Sequence, residues 1–167
     1  SPARAKRLIE QLTGALHLMH SRGIVHRDIK PENIVLVNRG TEETAVIIDF
    51  GTAGLRGASG QVVQTSLPAG SFHYLAPELL LGRYSAATDI YSFAVVILEM
   101  LTGKRLVDLA ATPTDDRFTN EVANLLDFSG ALPFARELAA ALHPEPAHRP
   151  QDVAAWARAL LSRLSQH

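Results

Sequence analysis

Residues 88–102 carry Ile90, Tyr91, Phe93, Val95, Val96, Ile97, Leu98, Met100 and Leu101 and leave no polar face at helical spacing. A helix that is apolar all round has to be buried, so this segment demands a shell of other elements around it. Gly103 is placed to end it. Its longest unbroken apolar run, Phe93 to Leu98, is far shorter than the roughly 20 residues of a membrane span. The segment therefore reads as the core helix of a globular unit. The 167 residues, 47% hydrophobic and 20% charged, suffice for one such core.

The shell is legible on both sides. Leu8, Leu12, Leu16 and Met19, with Ile9 alongside, predict a helix from about Ser1 to His20, opened by Ser1-Pro2 and stopped by Gly23. Ile34 to Val37 and Ala45 to Ile48, rich in Val and Ile with Asn38-Arg39-Gly40 between, predict a small hairpin. From Gly51 to Gly70 periodicity disappears into Gly, Ser, Thr, Gln and Ala, which predicts a long functional loop. Beyond the core helix, Lys104 to Asp116 reads as irregular, with a short helix near Asn120 to Asp127. Two more helices are expected, one from about Pro133 to Leu142 (Phe134, Leu138, Leu142) and one after Pro150 (Val153, Trp156, Leu160, Leu164). The fold class is mostly α, with one small β-hairpin carrying two loops at its edge.

Those loops hold the chemistry. His26-Arg27-Asp28-Ile29-Lys30-Pro31-Glu32-Asn33 runs directly into the first strand, and Asp49-Phe50-Gly51 directly follows the second. A hairpin brings these strand ends together, so Asp28, Asn33 and Asp49 are expected at one edge. Two carboxylates and an amide oxygen beside Lys30 make an oxygen-rich site. Hard oxygen ligands suit Mg²⁺, which takes further ligands from substrate phosphates, and a lysine offsets phosphate charge during transfer.

In this order and context the motifs resemble those of the eukaryotic-type Ser/Thr protein kinase family. Residues 26–33 resemble its catalytic loop, 49–51 its metal-binding motif, and Ala76-Pro77-Glu78 the close of an activation segment spanning 49–78. Residues 1–167 as a whole resemble the C-terminal lobe of the kinase catalytic domain. The resemblance implies ATP and Mg²⁺ as cofactors and a protein Ser/Thr substrate. Asp28 would accept or orient the substrate hydroxyl proton, Lys30 would sit beside the transferred phosphoryl group, and Asn33 and Asp49 would hold Mg²⁺. Val35 would pack beneath adenine, and His26 and Phe50 would form the lower half of a hydrophobic spine. Ser71 would contact the catalytic residues from the substrate-docking segment, Asp89 would brace the catalytic loop, and Arg149 would pair with Glu78. Lys30 favours Ser/Thr over Tyr kinases, and Glu32 hints at basic residues near the phosphorylated position. Thr65 and Ser66 either take a phosphate that pairs with Arg27 or are plain polar loop residues; the sequence leaves both open. Tyr91, where many kinases have Trp, and Ala94, where many have Gly, look like packing variation.

A net charge of -1 gives no sign of a nucleic-acid face, and the lack of cysteine excludes disulfides, thiolate catalysis and cysteine zinc sites. His17, His20, His143 and His148 fit no zinc spacing and read as surface or packing residues. The expected location is cytoplasmic, or the cytoplasmic part of a longer membrane-anchored protein. Two other functions compete: a pseudokinase-like interaction lobe, and a small-molecule phosphotransferase of kinase-like fold. No glycine-rich loop or paired strand Lys and helix Glu precedes the first helix. The resemblance thus implies a missing kinase N-lobe, an exposed surface prone to self-association, and weak or no activity in the isolated lobe. Weak binding of Mg-ATP is the expected result in titration calorimetry; tight binding by the monomeric chain contradicts it.

Overall fold

The computed structural model describes residues 1–49, 54–55, 71–127 and 130–164, with only the backbone of Gly54, Leu55 and Ser71. Helix α1 (Pro2–Ser21) is followed by strand β1 (Ile24–Val25), a 3-10 turn (Pro31–Asn33), and strands β2 (Ile34–Arg39), β3 (Glu42–Ile47) and β4 (Gly54–Leu55). Two further 3-10 turns, Ser71–Tyr74 and Pro77–Leu81, lead into α2 (Ala86–Thr102). The helices α3 (Asp116–Leu126), α4 (Ala131–Ala141) and α5 (Val153–Leu164) complete the chain, with 3-10 turns at Leu106–Asp108 and Pro146–His148.

The all-apolar helix does what its composition requires. Every residue of α2 from Ala87 to Leu98 is buried, and the helix touches α1, α3, α4 and α5. Ile90, Phe93, Ala94, Ile97 and Leu98 have no exposure. Phe93 meets Trp156 of α5 edge to face, with centroids 6.0 Å apart, a geometry that aromatic quadrupoles favour. The indole N–H of Trp156 donates to the Glu137 carbonyl at 2.9 Å, so its burial leaves no polar atom unpaired. Gly103, with φ +68, ends α2 and donates to the Glu99 carbonyl at 2.7 Å. The phenol of Tyr74 donates to Glu99, which ties the Ser71–Tyr74 turn to the last turns of α2.

The hairpin is longer than the sequence predicts. Its register runs from Ile34↔Ile47 to Arg39↔Glu42, so the turn is only Gly40-Thr41, with Gly40 at φ +62. A two-residue turn with glycine first matches strand twist. It lets the polar, exposed Asn38 and Arg39 pair with Glu43 and Glu42, where no hydrophobic pattern marks a strand. Gln11 of α1 clamps β3 from both sides of its amide: Nε2 donates to the Glu43 carbonyl at 3.1 Å, and Oε1 accepts from the Ala45 N–H at 2.7 Å. Arg4 adds a two-pronged bond to the Glu43 carboxylate, 2.7 Å on each prong. These ties fix the hairpin against α1.

Three sequence-based boundaries need correction. The short pairing of β1 with β4, Ile24↔Leu55 and Val25↔Gly54, had no readable signal, because two residues cannot show a period. Helix α3 starts four residues earlier than expected: Asp115 caps it by accepting from the Arg117 N–H at 2.9 Å, and Phe118, Val122 and Leu126 form its buried stripe. Helix α4 begins at Ala131, with Pro133 inside its first turn. Among the described residues no helix is long and apolar enough to cross a membrane.

Because Phe93 is fully buried at the centre of this packing, Phe93→Ala should lose about 3–5 kcal/mol, read by urea unfolding.

Candidate functional site

The site begins with a charge inside the core helix. Asp89 has no solvent exposure, and an unpaired carboxylate there would be prohibitive. It is fully engaged: Oδ2 accepts from the His26 backbone N–H at 2.9 Å and from His20 Nε2 at 2.8 Å, and Oδ1 accepts from the Arg27 N–H at 2.8 Å. The loop that follows β1 is therefore hung from α2 by two adjacent backbone amides. Arg27 sits at φ +70, a left-handed conformation that costs a non-glycine residue about 1–2 kcal/mol. Asp89 offsets that cost by holding the two amides that lead into the strained residue, while the amide after it donates to His26 Nδ1.

His26 carries the constraint onward. Its Nδ1 accepts from the Asp28 N–H at 3.2 Å, which leaves Nε2 as the protonated nitrogen, donating to the Ile48 carbonyl at 3.0 Å. One buried imidazole thus links the first loop to the end of the hairpin. The Ile48 N–H donates to the Asn33 carbonyl at 2.9 Å, so Asp49 follows directly from a residue bonded to Asn33. Asp49 is exposed and, like Arg27, left-handed, at φ +63.

Asp28 is the meeting point of the loop. Lys30 Nζ lies 3.3 Å from its Oδ2, and Asn33 Nδ2 donates both to its carbonyl at 2.8 Å and to its Oδ2 at 3.0 Å. Asp28 and Lys30 are partly exposed and Asn33 is buried. With Nδ2 committed to Asp28, the amide oxygen of Asn33 is the atom left to bind a ligand. Val35, 40% exposed on β2, pairs in register with the equally exposed Val46. Among the described residues no cluster of three or more His, Cys, Asp or Glu could hold a metal ion; a metal here would rely on Asn33, Asp49 and its own further ligands.

Behind the site lies a second buried charge pair. Arg149 donates to both Glu78 oxygens, at 2.8 and 2.9 Å, and to the carbonyls of His143, Ala87 and Pro144 at 2.6, 3.1 and 2.9 Å. The Thr88 hydroxyl completes the Glu78 carboxylate at 2.8 Å, and the Tyr91 ring stacks on the guanidinium at 4.7 Å. Burial alone pushes the Glu78 carboxyl up, but Arg149, its own backbone and Thr88 together hold it below the usual range.

Of the sequence-predicted residues, Asp28, Lys30 and Asn33 come together, Asp49 directly follows Ile48, which is bonded to Asn33, and Asp89, Glu78 and Arg149 sit behind. Phe50, Gly51, Thr65 and Ser66 lie outside the described residues, as does the side chain of Ser71. Sequence reasoning missed His20 as a partner of Asp89, Thr88 as a partner of Glu78, and Tyr84, whose ring lies 4.8 Å from the Arg27 guanidinium. Tyr91, read as packing variation, covers Arg149. These contacts cross from ten residues, for Thr88 and Glu78, to 69, for His20 and Asp89, so no local period signals them.

Removing one member of the Glu78–Arg149 pair strands the other, so Glu78→Ala should lose about 3–5 kcal/mol. The depressed Glu78 pKa also fixes a pH dependence. Its contribution is complete above the unfolded value of about 4.3 and is lost as the pH falls through the lower folded value. Urea midpoints followed from pH 7 to pH 3 should drop less steeply in Glu78→Gln than in the wild type.

Comparison with known proteins gives the family. Residues 1–166 match the family model described as the protein kinase domain. The chain is 31% identical to serine/threonine-protein kinase pkn2 of Myxococcus xanthus, covering 98% of this chain and 22% of that protein. It is 32% identical to serine/threonine-protein kinase D of Synechocystis, covering 99% of this chain and 32% of that one. Receptor-like kinase TMK2 of Arabidopsis thaliana is 33% identical, over 89% of this chain and 16% of that protein. The chain thus spans a third or less of these relatives. In fold it resembles the PknI kinase domain of Mycobacterium tuberculosis, with a TM-score of 0.70 at 22% identity, over 98% of this chain and 55% of that one. The chain belongs to the eukaryotic-type Ser/Thr protein kinase family, with the mostly helical fold of a kinase C-terminal lobe.

Proposed function

We propose that this chain supplies the catalytic loop and metal-binding residues for phosphoryl transfer from ATP to a protein Ser or Thr hydroxyl. The observation that carries this reading is the convergence of Lys30 and Asn33 on Asp28, in a loop whose backbone is held by Asp89. Loose phosphoryl transition states need positioning and charge stabilisation more than covalent chemistry, and a preorganised loop provides the former. Asp28 would accept the proton of the substrate hydroxyl as its oxygen bonds to the terminal phosphorus and the bond to the departing diphosphate breaks. Lys30 would balance charge on the transferred group while keeping Asp28 oriented.

The donor set suits Mg²⁺. Asn33 presents an amide oxygen and Asp49 an exposed carboxylate, both hard ligands, and Mg²⁺ is usually held by one or two such groups plus substrate phosphates. When bound, the ion would neutralise phosphate charge. In this reading Val35 lies beneath the adenine, Ser71 docks the substrate segment, and residues 26–33, 49–51 and 49–78 are the catalytic loop, metal-binding motif and activation segment. Thr65 and Ser66 are its candidate phosphorylation positions. Among the described residues the buried Nε of Arg27 has no hydrogen-bond partner, which suits an anion near that residue.

One observation favours an interaction role beside or instead of catalysis. Val35, Val46 and Ile48, on one face of the hairpin by strand alternation, are each 38–40% exposed, an apolar group that suits a protein partner or a second copy of the chain.

Transfer of radiolabel from Mg-ATP to a generic basic protein distinguishes the readings, measured for this chain and for the product of its complete reading frame. Asp28→Asn should lower the rate about 10²–10⁴-fold with an unchanged melting temperature, and chelation of Mg²⁺ should abolish transfer. If neither protein transfers phosphate, the interaction reading replaces the catalytic one.

A further inference from the structure

Strand β2 is one edge of its two-stranded sheet, and the hydrogen bonds around it fix which way its backbone groups point. The Ile48 N–H donates across the hairpin to the Asn33 carbonyl at 2.9 Å, so Asn33 bonds inward. Inward and outward residues alternate along an antiparallel strand. Val35, Val37 and Arg39 therefore bond inward as well, and Ile34, Leu36 and Asn38 turn outward. The clamp on the far side of the sheet agrees. Gln11 holds the Glu43 carbonyl and the Ala45 N–H from outside β3, and those residues stand opposite Asn38 and Leu36. In a non-hydrogen-bonded pair the polar groups of the two residues point to opposite edges.

The two edges differ in what meets them. Gln11 closes the β3 edge. On β2 the Ile34 N–H turns back to the Pro31 carbonyl. Among the described residues nothing bonds to the Ile34 carbonyl, or to the N–H and carbonyl of Leu36 and Asn38. The side chains agree: Ala45 and Ile47 share a sheet face with Leu36 and are 7% and 6% exposed, whereas Leu36, at the edge, is 40% exposed. An open strand edge is a template for another strand, and proteins ordinarily blunt one with Lys, Pro or a bulge. Ile34-Val35-Leu36-Val37-Asn38 has no charge and no proline, and its register with β3 is unbroken.

We propose that the chain dimerises by antiparallel pairing of β2 with β2 of a second copy, about a two-fold axis at Leu36. A two-fold contact has to be self-complementary, and this segment is. The axis sets Leu36 against Leu36 and each Val35 against Val37 of the second copy, apolar and β-branched cross-strand pairs of the kind that stabilise sheets. The Leu36 residues exchange their N–H and carbonyl groups, and each Asn38 N–H donates to the Ile34 carbonyl of the second copy, so the occupied Ile34 N–H is not needed. The contact is the strand edge, distinct from the apolar face of Val35, Val46 and Ile48, and it does not rest on phosphoryl transfer.

Sedimentation velocity from micromolar to millimolar chain concentration tests it, and a reversible dimer is the expected result. Asn38→Pro removes an outward N–H that the hairpin does not use, and proline is tolerated on a strand edge. Leu36→Lys sets like charges opposite each other at the axis. Each variant should weaken the dimer about tenfold or more, while the dilute monomer still unfolds cooperatively by circular dichroism. Val46→Lys charges the apolar face and not the edge, and should leave the dimer intact. A spin label on Arg39→Cys, in a chain with no other cysteine, should report a separation of about 20 Å, three residues to each side of the axis. The proposal is overturned if the chain stays monomeric, if the dimer survives Asn38→Pro or Leu36→Lys unchanged, if Val46→Lys abolishes it, or if the label separation departs from that value.

Discussion

The structure depends on a carboxylate placed where a carboxylate is least tolerable. Asp89 lies in the first turn of a helix whose next nine residues are buried, and its charge survives there only because three donors reach it. Two of them are consecutive backbone amides of the loop that carries Asp28. The core therefore cannot close without drawing that loop into place, and the loop cannot relax its left-handed Arg27 without stranding the charge. Core packing and loop geometry become one constraint, with the hydrophobic burial of α2 supplying the drive.

The adjoining residue, Thr88, belongs to a second anchor. Its hydroxyl donates to Glu78 and accepts from the Ser85 N–H at 2.9 Å, so the start of α2 also organises the Glu78–Arg149 pair. Arg149 makes five hydrogen bonds and stacks on Tyr91, which leaves neither charge with unmet demand. A buried pair of this completeness is a positional device more than a source of net stability. It fixes the turn at Pro77–Leu81 against the loop before α5, two segments 71 residues apart in the chain.

The two anchors serve opposite sides of one helix start, and between them the fold acquires a rigid edge. The hairpin, clamped to α1 by Gln11, delivers Asn33 and Asp49 to that edge from the other direction.

By itself the sequence determined the order of the helices and the hairpin, the burial of α2, the family and which residues form the candidate site. Periodicity dictates burial: Leu8, Leu12 and Leu16, or Phe134 and Leu138, can face only one way in a helix. Motif order placed Asp28, Asn33, Asp49, Glu78, Asp89 and Arg149. What the sequence could not supply were contacts whose partners are far apart and have no local period. The bond of His20 to Asp89 spans 69 residues, the two-residue pairing of β1 with β4 has too few positions to show alternation, and α3 starts at a cap that only the buried Phe118 explains. Those features were decided by tertiary structure, because hydrogen-bond satisfaction and burial belong to the assembled surroundings of a residue and not to its neighbours in the chain.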